Sequence, residues 1–143
     1  MNANTASCSA SGCTAIGGGI GFFGTVNLTN SQVIDNTASC STSDCLARGG
    51  GLDNCCDGTL NVNSSRVANN TVSAPLGTAL GGGLMSDSGT VTLTRSSVTS
   101  NTASGAIADG GGIYKESGSM ILNKTRVSGN TPNNCTPPIG TCS

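Results

Sequence analysis

The sequence predicts an all-β protein, a right-handed parallel β-helix (solenoid) of about four coils that is stabilised by disulfides. Three observations predict this fold: a repeat marked by glycines, an alternation of apolar and polar residues inside each repeat, and eight cysteines in 143 residues. Stacked coils pair each strand with its copies in the neighbouring coils, about 4.8 Å away. A helical fold is excluded because glycine and β-branched residues abound and no 3.6-residue pattern occurs.

The repeat consists of four blocks of equal length that begin with glycine and end with asparagine. The blocks read GTVNLTNSQVIDN, GTLNVNSSRVANN, GTVTLTRSSVTSN and GSMILNKTRVSGN, and each is preceded by a glycine triplet and a large aliphatic residue. We therefore expect one β-helix domain over residues 1–143, with repeats at about 4–36, 37–70, 71–101 and 102–130. A C-terminal tail, 131–143, completes the chain.

Within a block the apolar residues recur with a period of two, which predicts a strand with one buried face. Three apolar columns are expected to point inward: Val26, Leu60, Val91 and Met120; Leu28, Val62, Leu93 and Leu122; Val33, Val67, Val98 and Val127.

The asparagines that end the blocks predict a ladder of stacked amides. Asparagine tolerates the left-handed backbone of a turn, and amides stacked at one position of successive coils can hydrogen-bond along the column. The expected role is structural, and the residues are Asn36, Asn70, Asn101 and Asn130.

The glycine triplet with its aliphatic residue, followed by V-x-x-N, resembles the repeat of polymorphic outer membrane proteins. The pattern is clearest at Val33–Asn36 and Val127–Asn130, and the likeness runs from about Asn4 to Asn130. More broadly the chain resembles the pectate-lyase-like right-handed β-helix superfamily. It departs from the outer-membrane repeat in two ways: GGAI is replaced by GGG followed by Ile or Leu, and the phenylalanine of the F-x-x-N motif is replaced by valine. The resemblance implies a secreted or surface-exposed, adhesin-like scaffold.

The cysteines indicate an oxidising compartment, and therefore an extracellular or cell-surface location. Closeness in sequence favours the pairs Cys8–Cys13, Cys40–Cys45, Cys55–Cys56 and Cys135–Cys142. The alternative pairs Cys8 with Cys40 and Cys13 with Cys45 across coils, since equivalent positions lie at a disulfide's Cα separation. A zinc site is not expected, because the sequence has neither histidine nor C-x-x-C.

Charge and hydropathy exclude several partners. The net charge is −1 with no run of Lys or Arg, so binding to nucleic acid is not expected. No apolar stretch is long enough to span a membrane, and no cofactor motif is present. The N-terminus lacks the features of a signal peptide, and Asn4–Ser7 already belongs to a repeat, so we expect a segment of a longer protein.

Catalysis is the weakest of the functional interpretations. Polysaccharide lyases and hydrolases occur on β-helices and use acidic residues, and here only Asp87 and Glu116 share a repeat position, with Lys115 nearby. The turn Asp53–Gly58 offers oxygen ligands for Ca²⁺, but only once and without a full ligand set. With no histidine, acid–base chemistry at neutral pH lacks its commonest agent, so we expect a protein that is not an enzyme.

The outward columns of the blocks form a regular grid of hydroxyls and amides. Such a flat polar surface resembles the T-x-T arrays of ice-binding solenoids, or a face that adheres to glycans. The grid residues are Thr25, Asn27, Thr29, Thr59, Asn61, Asn63, Thr90, Thr92 and Thr94.

The leading functional hypothesis is a non-catalytic structural scaffold. Open coil ends expose strand edges that invite pairing, either with upstream repeats of the same chain or with another copy in a filament. The tail has prolines that can blunt the C-terminal end, whereas residues 1–6 have no comparable device. The alternatives are a module that binds ice or glycan through the polar grid and, last, a carbohydrate-active enzyme.

Overall fold

The computed structural model describes residues 1–142, and over this range it contains nineteen short strands and no helix. The first coil contains β1 (Thr5–Cys8), β2 (Thr14–Ile16), β3 (Ile20–Phe22), β4 (Thr25–Thr29) and β5 (Gln32–Ile34). The second contains β6 (Thr37–Cys40), β7 (Leu46–Arg48), β8 (Leu52–Asn54), β9 (Thr59–Asn63) and β10 (Arg66–Ala68). The third contains β11 (Thr71–Leu80), β12 (Leu84–Ser86), β13 (Thr90–Thr94) and β14 (Ser97–Thr99). The fourth contains β15 (Thr102–Asp109), β16 (Ile113–Lys115), β17 (Ser119–Asn123) and β18 (Arg126–Ser128), and the tail adds β19 (Cys135–Thr136).

Equivalent strands of successive coils pair in parallel and build four sheets, so the chain is a parallel β-solenoid of about four coils. We call β1, β2, β6, β7, β11 and β15 the arm sheet. Sheet 1 has the order β3-β8-β12-β16-β19, sheet 2 the order β4-β9-β13-β17, and sheet 3 the order β5-β10-β14-β18. Every block therefore contributes one strand to sheet 2 and one to sheet 3, as the period-two pattern predicts.

Sheets 1, 2 and 3 enclose one apolar core, and the predicted inward columns point into it. Leu60, Val62 and Val67 are at most 1% exposed in the second coil, and their equivalents in the third coil are as deeply buried. In the two outer coils Val26, Leu28, Met120 and Leu122 are only half-buried, because each lacks a complete coil on one side.

The arm sheet has a separate core of small side chains, mainly alanine and cysteine. The segments between the blocks form paired strands that place Cys8 opposite Cys40, the alignment that the cross-coil pairing of cysteines would need. Small side chains are needed because the two halves of the arm sheet, with β1 and β6 in one and β2 and β7 in the other, pack directly against each other. The disulfides are nevertheless the local set: Cys8–Cys13, Cys40–Cys45, Cys55–Cys56 and Cys135–Cys142.

The asparagine ladder separates the two cores. Each rung uses its backbone N and its Nδ2 as donors to the Oδ1 of the next rung; for Asn70 and Asn101 both donor–acceptor distances are 2.9 Å. The predicted Asn36, Asn70 and Asn101 are fully buried. The ladder has two further rungs, because Asn4 donates to Asn36 and Asn130 donates to Asn134.

The third glycine of every triplet faces this ladder across the narrowest part of the coil. A Cβ on Gly83 would lie 2.9 Å from Nδ2 of Asn101 and 2.7 Å from the carbonyl oxygen of Gly112. Real Cβ atoms do not approach other atoms so closely, so glycine is required here by packing rather than by backbone angles.

A second ladder of hydroxyl groups, which the sequence analysis missed, runs along the corner between sheets 2 and 3. Ser65 Oγ accepts from the N–H of Ser31 at 2.9 Å and donates to the carbonyl oxygen of Asn63 at 2.8 Å. Ser96 and Thr125 repeat the arrangement in the next coils. The signal was present in the sequence, since every block has Ser or Thr two residues before its inward valine.

The two ends of the solenoid are covered to different extents. The expectation that residues 1–6 leave the N-terminal end unprotected is only partly correct, because Met1–Ala3 lies along β5: the N–H of Ile34 donates to Met1 O at 3.0 Å. The strands β1 to β4 have no such cover within the described chain. At the C-terminal end, β19 pairs with β16, and Ile139 packs against the main core. The last residue of the predicted tail, Ser143, lies outside the described residues.

The tail is anchored by Asp109 at the end of β15. Its Oδ1 accepts hydrogen bonds from Asn133 Nδ2 and Thr136 Oγ1, both at 2.6 Å, and from the N–H of Gly110 at 2.9 Å. Burial by itself would raise the pKa of Asp109, but these three hydrogen bonds outweigh it and hold the pKa below its ordinary value.

We expect acid to loosen the tail through Asp109. Because the pKa is lower in the folded state, the stabilisation is present above the unfolded pKa of about 4 and is lost as the pH falls through the lower folded value. Hydrogen exchange of residues 131–142, corrected for intrinsic rates, should show protection at neutral pH that declines in strong acid. The variant Asp109→Asn should lose this pH dependence, and an identical decline in wild type and variant would contradict the assignment.

Residues 1–142 include no helix with the length and hydropathy that a membrane span requires.

Candidate functional site

The outer face of sheet 2, here called the polar face, is the surface with the most regular chemistry. Its three outward columns stack in register: Thr25, Thr59, Thr90 and Ser119; Asn27, Asn61, Thr92 and Ile121; Thr29, Asn63, Thr94 and Asn123. Every predicted grid residue thus lies on this face, exposed or half-exposed. Neighbouring coils are about 4.8 Å apart, and alternate residues of one strand about 6.7 Å.

The polar face is regular in position but not in chemistry. Nδ2 of Asn61 donates to Oδ1 of Asn27 at 2.8 Å, so two of its amides already bind each other. Ile121 interrupts the grid in the last coil and is 56% exposed. Asn63 is bound from the side by Arg95, whose Nη2 lies 3.1 Å from Oδ1 of Asn63. The face can therefore offer hydroxyl and amide groups to a ligand, but in an order that changes from coil to coil.

A buried charge cluster lies behind the glycine triplet of the second coil. Arg48 donates from Nε to Asp53 Oδ2 at 2.7 Å and from Nη2 to Asp87 Oδ2 at 3.1 Å. Asp53 is fully buried, and burial raises its pKa while the hydrogen bonds from Arg48 offset part of the increase. The hydrogen bond with Asp53 raises the pKa of Arg48 above its ordinary value, so Arg48 stays charged. The cluster links two coils through one guanidinium group.

The acidic residues that the sequence offered for catalysis or Ca²⁺ binding do not converge on one site, because Arg48 binds two of them. Both carboxylate oxygens of Asp53 accept hydrogen bonds from Arg48. The carboxylate of Asp53 is therefore not available as a Ca²⁺ ligand in the Asp53–Gly58 turn. Asp87 and Glu116 occupy equivalent positions of adjacent coils, but Asp87 points to Arg48 whereas Glu116 is exposed. Asp57 is exposed.

Across the described range, the structure gathers no three Cys, Asp or Glu side chains that could hold a metal ion. Every cysteine of that range is in a disulfide, which leaves no thiolate for zinc. Disulfides of this number are typical of proteins from an oxidising compartment.

Four basic residues lie along the corner between sheets 2 and 3, and sequence reasoning missed this cluster. We call it the basic corner: Arg66, Arg95, Lys124 and Arg126. The four residues are spread over the second, third and fourth coils, so no run of positive charge appears in the sequence. Only the strand register places Arg66, Ser97 and Arg126 in one column.

Comparisons of the chain with protein-family models, with curated proteins and with solved structures give no match. The class that the fold itself defines is a disulfide-containing parallel β-solenoid.

Proposed function

We propose that the chain is a non-catalytic structural scaffold of the extracellular space or cell surface that associates end to end through its coil edges. The observation that carries the proposal is that sheet 2 has an unpaired strand at each end, β4 at one and β17 at the other, within the described residues. Unpaired strand edges are templates for pairing with another chain.

The two edges match each other because the repeat that builds the sheet is the same. The strands β4 and β17 each have five residues, and each points a pair of half-buried apolar residues inward. When β17 of one copy lies beside β4 of the next, Val26 and Leu28 can pack on Met120 and Leu122 as they pack within the chain on their neighbours. This contact continues sheet 2 without a change in register.

The expected association is weak. Each added backbone hydrogen bond contributes only about 1 kcal/mol net, whereas association costs roughly 4–15 kcal/mol in lost translational and rotational freedom. The tail also covers part of the C-terminal end, since Ile139 packs over the core there. We therefore expect association that grows with concentration rather than a fixed oligomer.

An extracellular or surface location fits the four disulfides, since such bonds persist where glutathione does not reduce them. A scaffold role also fits the placement of the acidic residues, because the most deeply buried carboxylate is bound by an arginine rather than directed into a cleft.

Sedimentation velocity of the isolated chain over a wide concentration range tests the proposal. We expect the mean sedimentation coefficient to rise with concentration and elongated particles to appear by negative-stain microscopy. The variant Leu28→Lys places a charge on the inward face of the open strand β4 and should suppress association.

Thr29→Lys is the matched control, since it adds the same charge to the outward face of the same strand. It should associate like the wild type. Circular dichroism checks that Leu28→Lys is folded, and Ile20→Lys on β3 serves as a second edge variant. A wild-type chain that stays monomeric at its highest soluble concentration would refute the proposal.

A further inference from the structure

The corner between sheets 2 and 3 holds its side chains in a fixed order. It is built in every coil by two residues, the first with a left-handed backbone and the second in the hydroxyl ladder. The first residues project into solvent, with φ between 48° and 50°: Asn30, Ser64, Arg95 and Lys124. The next outward column, on sheet 3, consists of Gln32, Arg66, Ser97 and Arg126.

Four of the six basic residues of the chain stand in these two columns, and all four are exposed. None of them forms a salt bridge with any part of the chain that the structure describes. Arg95 and Arg126 are held only by neutral partners, Asn63 Oδ1 and Ser128 Oγ. The four blocks on both sides of the corner contain one acidic residue, Asp35, which is exposed in the first coil, where neither column has a basic residue. The corner is therefore locally cationic in a protein of net charge −1.

From this arrangement we infer that the basic corner is a binding site for an anionic polysaccharide, a glycan chain that carries sulfate or carboxylate groups. The cations stand in two adjacent columns parallel to the solenoid axis, and within each column they are separated by multiples of the coil spacing of about 4.8 Å. A linear polyanion can contact them one after another, and each contact neutralises one charge. This site is independent of the coil edges used for end-to-end association.

The neutral groups of the corner favour a polysaccharide as the polyanion. Residues Asn30, Gln32, Ser64 and Ser97 line a groove of about 390 Å³ next to Arg66 and Arg95. Their amides and hydroxyls suit the hydroxyl groups of sugars. Proteins that bind single-stranded nucleic acid stack its bases on aromatic side chains, and none of the block residues forming this corner is aromatic.

The test compares a sulfated polymer with its uncharged counterpart and with a carboxylated glycan. Binding of the full chain to dextran sulfate, to uncharged dextran and to hyaluronan, which carries carboxylates, is measured at several salt concentrations. We expect dextran sulfate to bind and dextran not to bind. If four contacts form, the logarithm of affinity should fall against the logarithm of salt concentration with a slope of about −3. Binding to hyaluronan would add carboxylated glycans to the ligand class, and its absence would restrict the class to sulfated ones.

The double variant Arg66→Gln/Arg95→Gln should weaken binding to dextran sulfate by about tenfold and reduce the salt slope by about half. The matched control is Lys115→Gln, which removes one positive charge elsewhere and should change the affinity by less than about twofold. Both substitutions in the double variant are on exposed positions, and circular dichroism verifies the fold.

Three outcomes would overturn the inference. They are no binding to either charged glycan at low salt, an equal loss of affinity in the Lys115→Gln control, or tighter binding to single-stranded RNA of matched length than to dextran sulfate.

Discussion

Asn70→Ala is expected to lower the free energy of unfolding by about 4 kcal/mol, the largest effect of any single substitution considered for this protein. Oδ1 of Asn70 accepts from the backbone N and the Nδ2 of Asn36, and its own Nδ2 donates to Asn101 Oδ1 and Val33 O. The residue is fully buried. Its loss leaves both donors of the buried Asn36 without this acceptor and removes one donor from Val33 O, whereas Asn101 Oδ1 keeps the hydrogen bond from the backbone N of residue 70. Each unsatisfied buried group costs about 1–3 kcal/mol.

The control for this prediction is Asn61→Ala on the polar face. Asn61 is exposed and donates one side-chain hydrogen bond, to Asn27, so its replacement should change stability by less than about 0.5 kcal/mol. Urea unfolding of both variants gives the comparison. Equal stabilities of Asn70→Ala and wild type would show that the ladder contributes nothing to the fold.

Gly83→Ala is expected to cost about 3 kcal/mol by overpacking. The added methyl group would meet the side chain of Asn101 on one side and the carbonyl oxygen of Gly112 on the other. The carbonyl belongs to the strand connection of the next coil, and the amide is fixed by its ladder bonds, so neither can move without breaking hydrogen bonds. The thermal midpoint and urea midpoint should both fall.

Gly21→Ala tests whether the effect is specific to the triplet. Gly21 lies in β3 at an exposed position, and its added Cβ would meet Ile16 Cγ2 at 3.3 Å, the end of a side chain that can shift. A loss below about 1 kcal/mol is expected. If Gly83→Ala were no more costly than Gly21→Ala, the constriction between the two cores would not explain the third glycine.

The strands of sheets 2 and 3 could be predicted from the sequence because the equal length of the blocks determines which residues are equivalent in successive coils. Identical spacing from the block glycine to Val33, Val67 and Val98 leaves one way to stack the coils. The arm could not be predicted in this way. Its segments shorten along the chain from twelve residues to eight, and their alanines give little contrast between inward and outward positions.

The ends of the ladder and the basic corner were missed for a different reason. Asn134 lies outside the repeat pattern, and only the path of the tail places it next to Asn130. Arg66 and Arg95 are 29 residues apart in the sequence, and their proximity follows from coil length and register rather than from any local motif. Charge clusters in solenoids have to be sought along columns, not along the chain.

The direction of the asparagine ladder restricts the symmetry of any assembly built on the solenoid ends. Every asparagine of the ladder donates to the asparagine of the next coil toward the C-terminus, so the dipoles of the side-chain amides point the same way and add. At the N-terminal end of the ladder, the carboxamide oxygen of Asn4 accepts no hydrogen bond within residues 1–142. A two-fold axis relating two N-terminal ends would bring acceptor against acceptor. Isologous, closed dimers through this end are therefore disfavoured. A heterologous contact, in which every copy repeats the same rotation and translation, keeps the polarity and does not close, so its product is an open helical polymer.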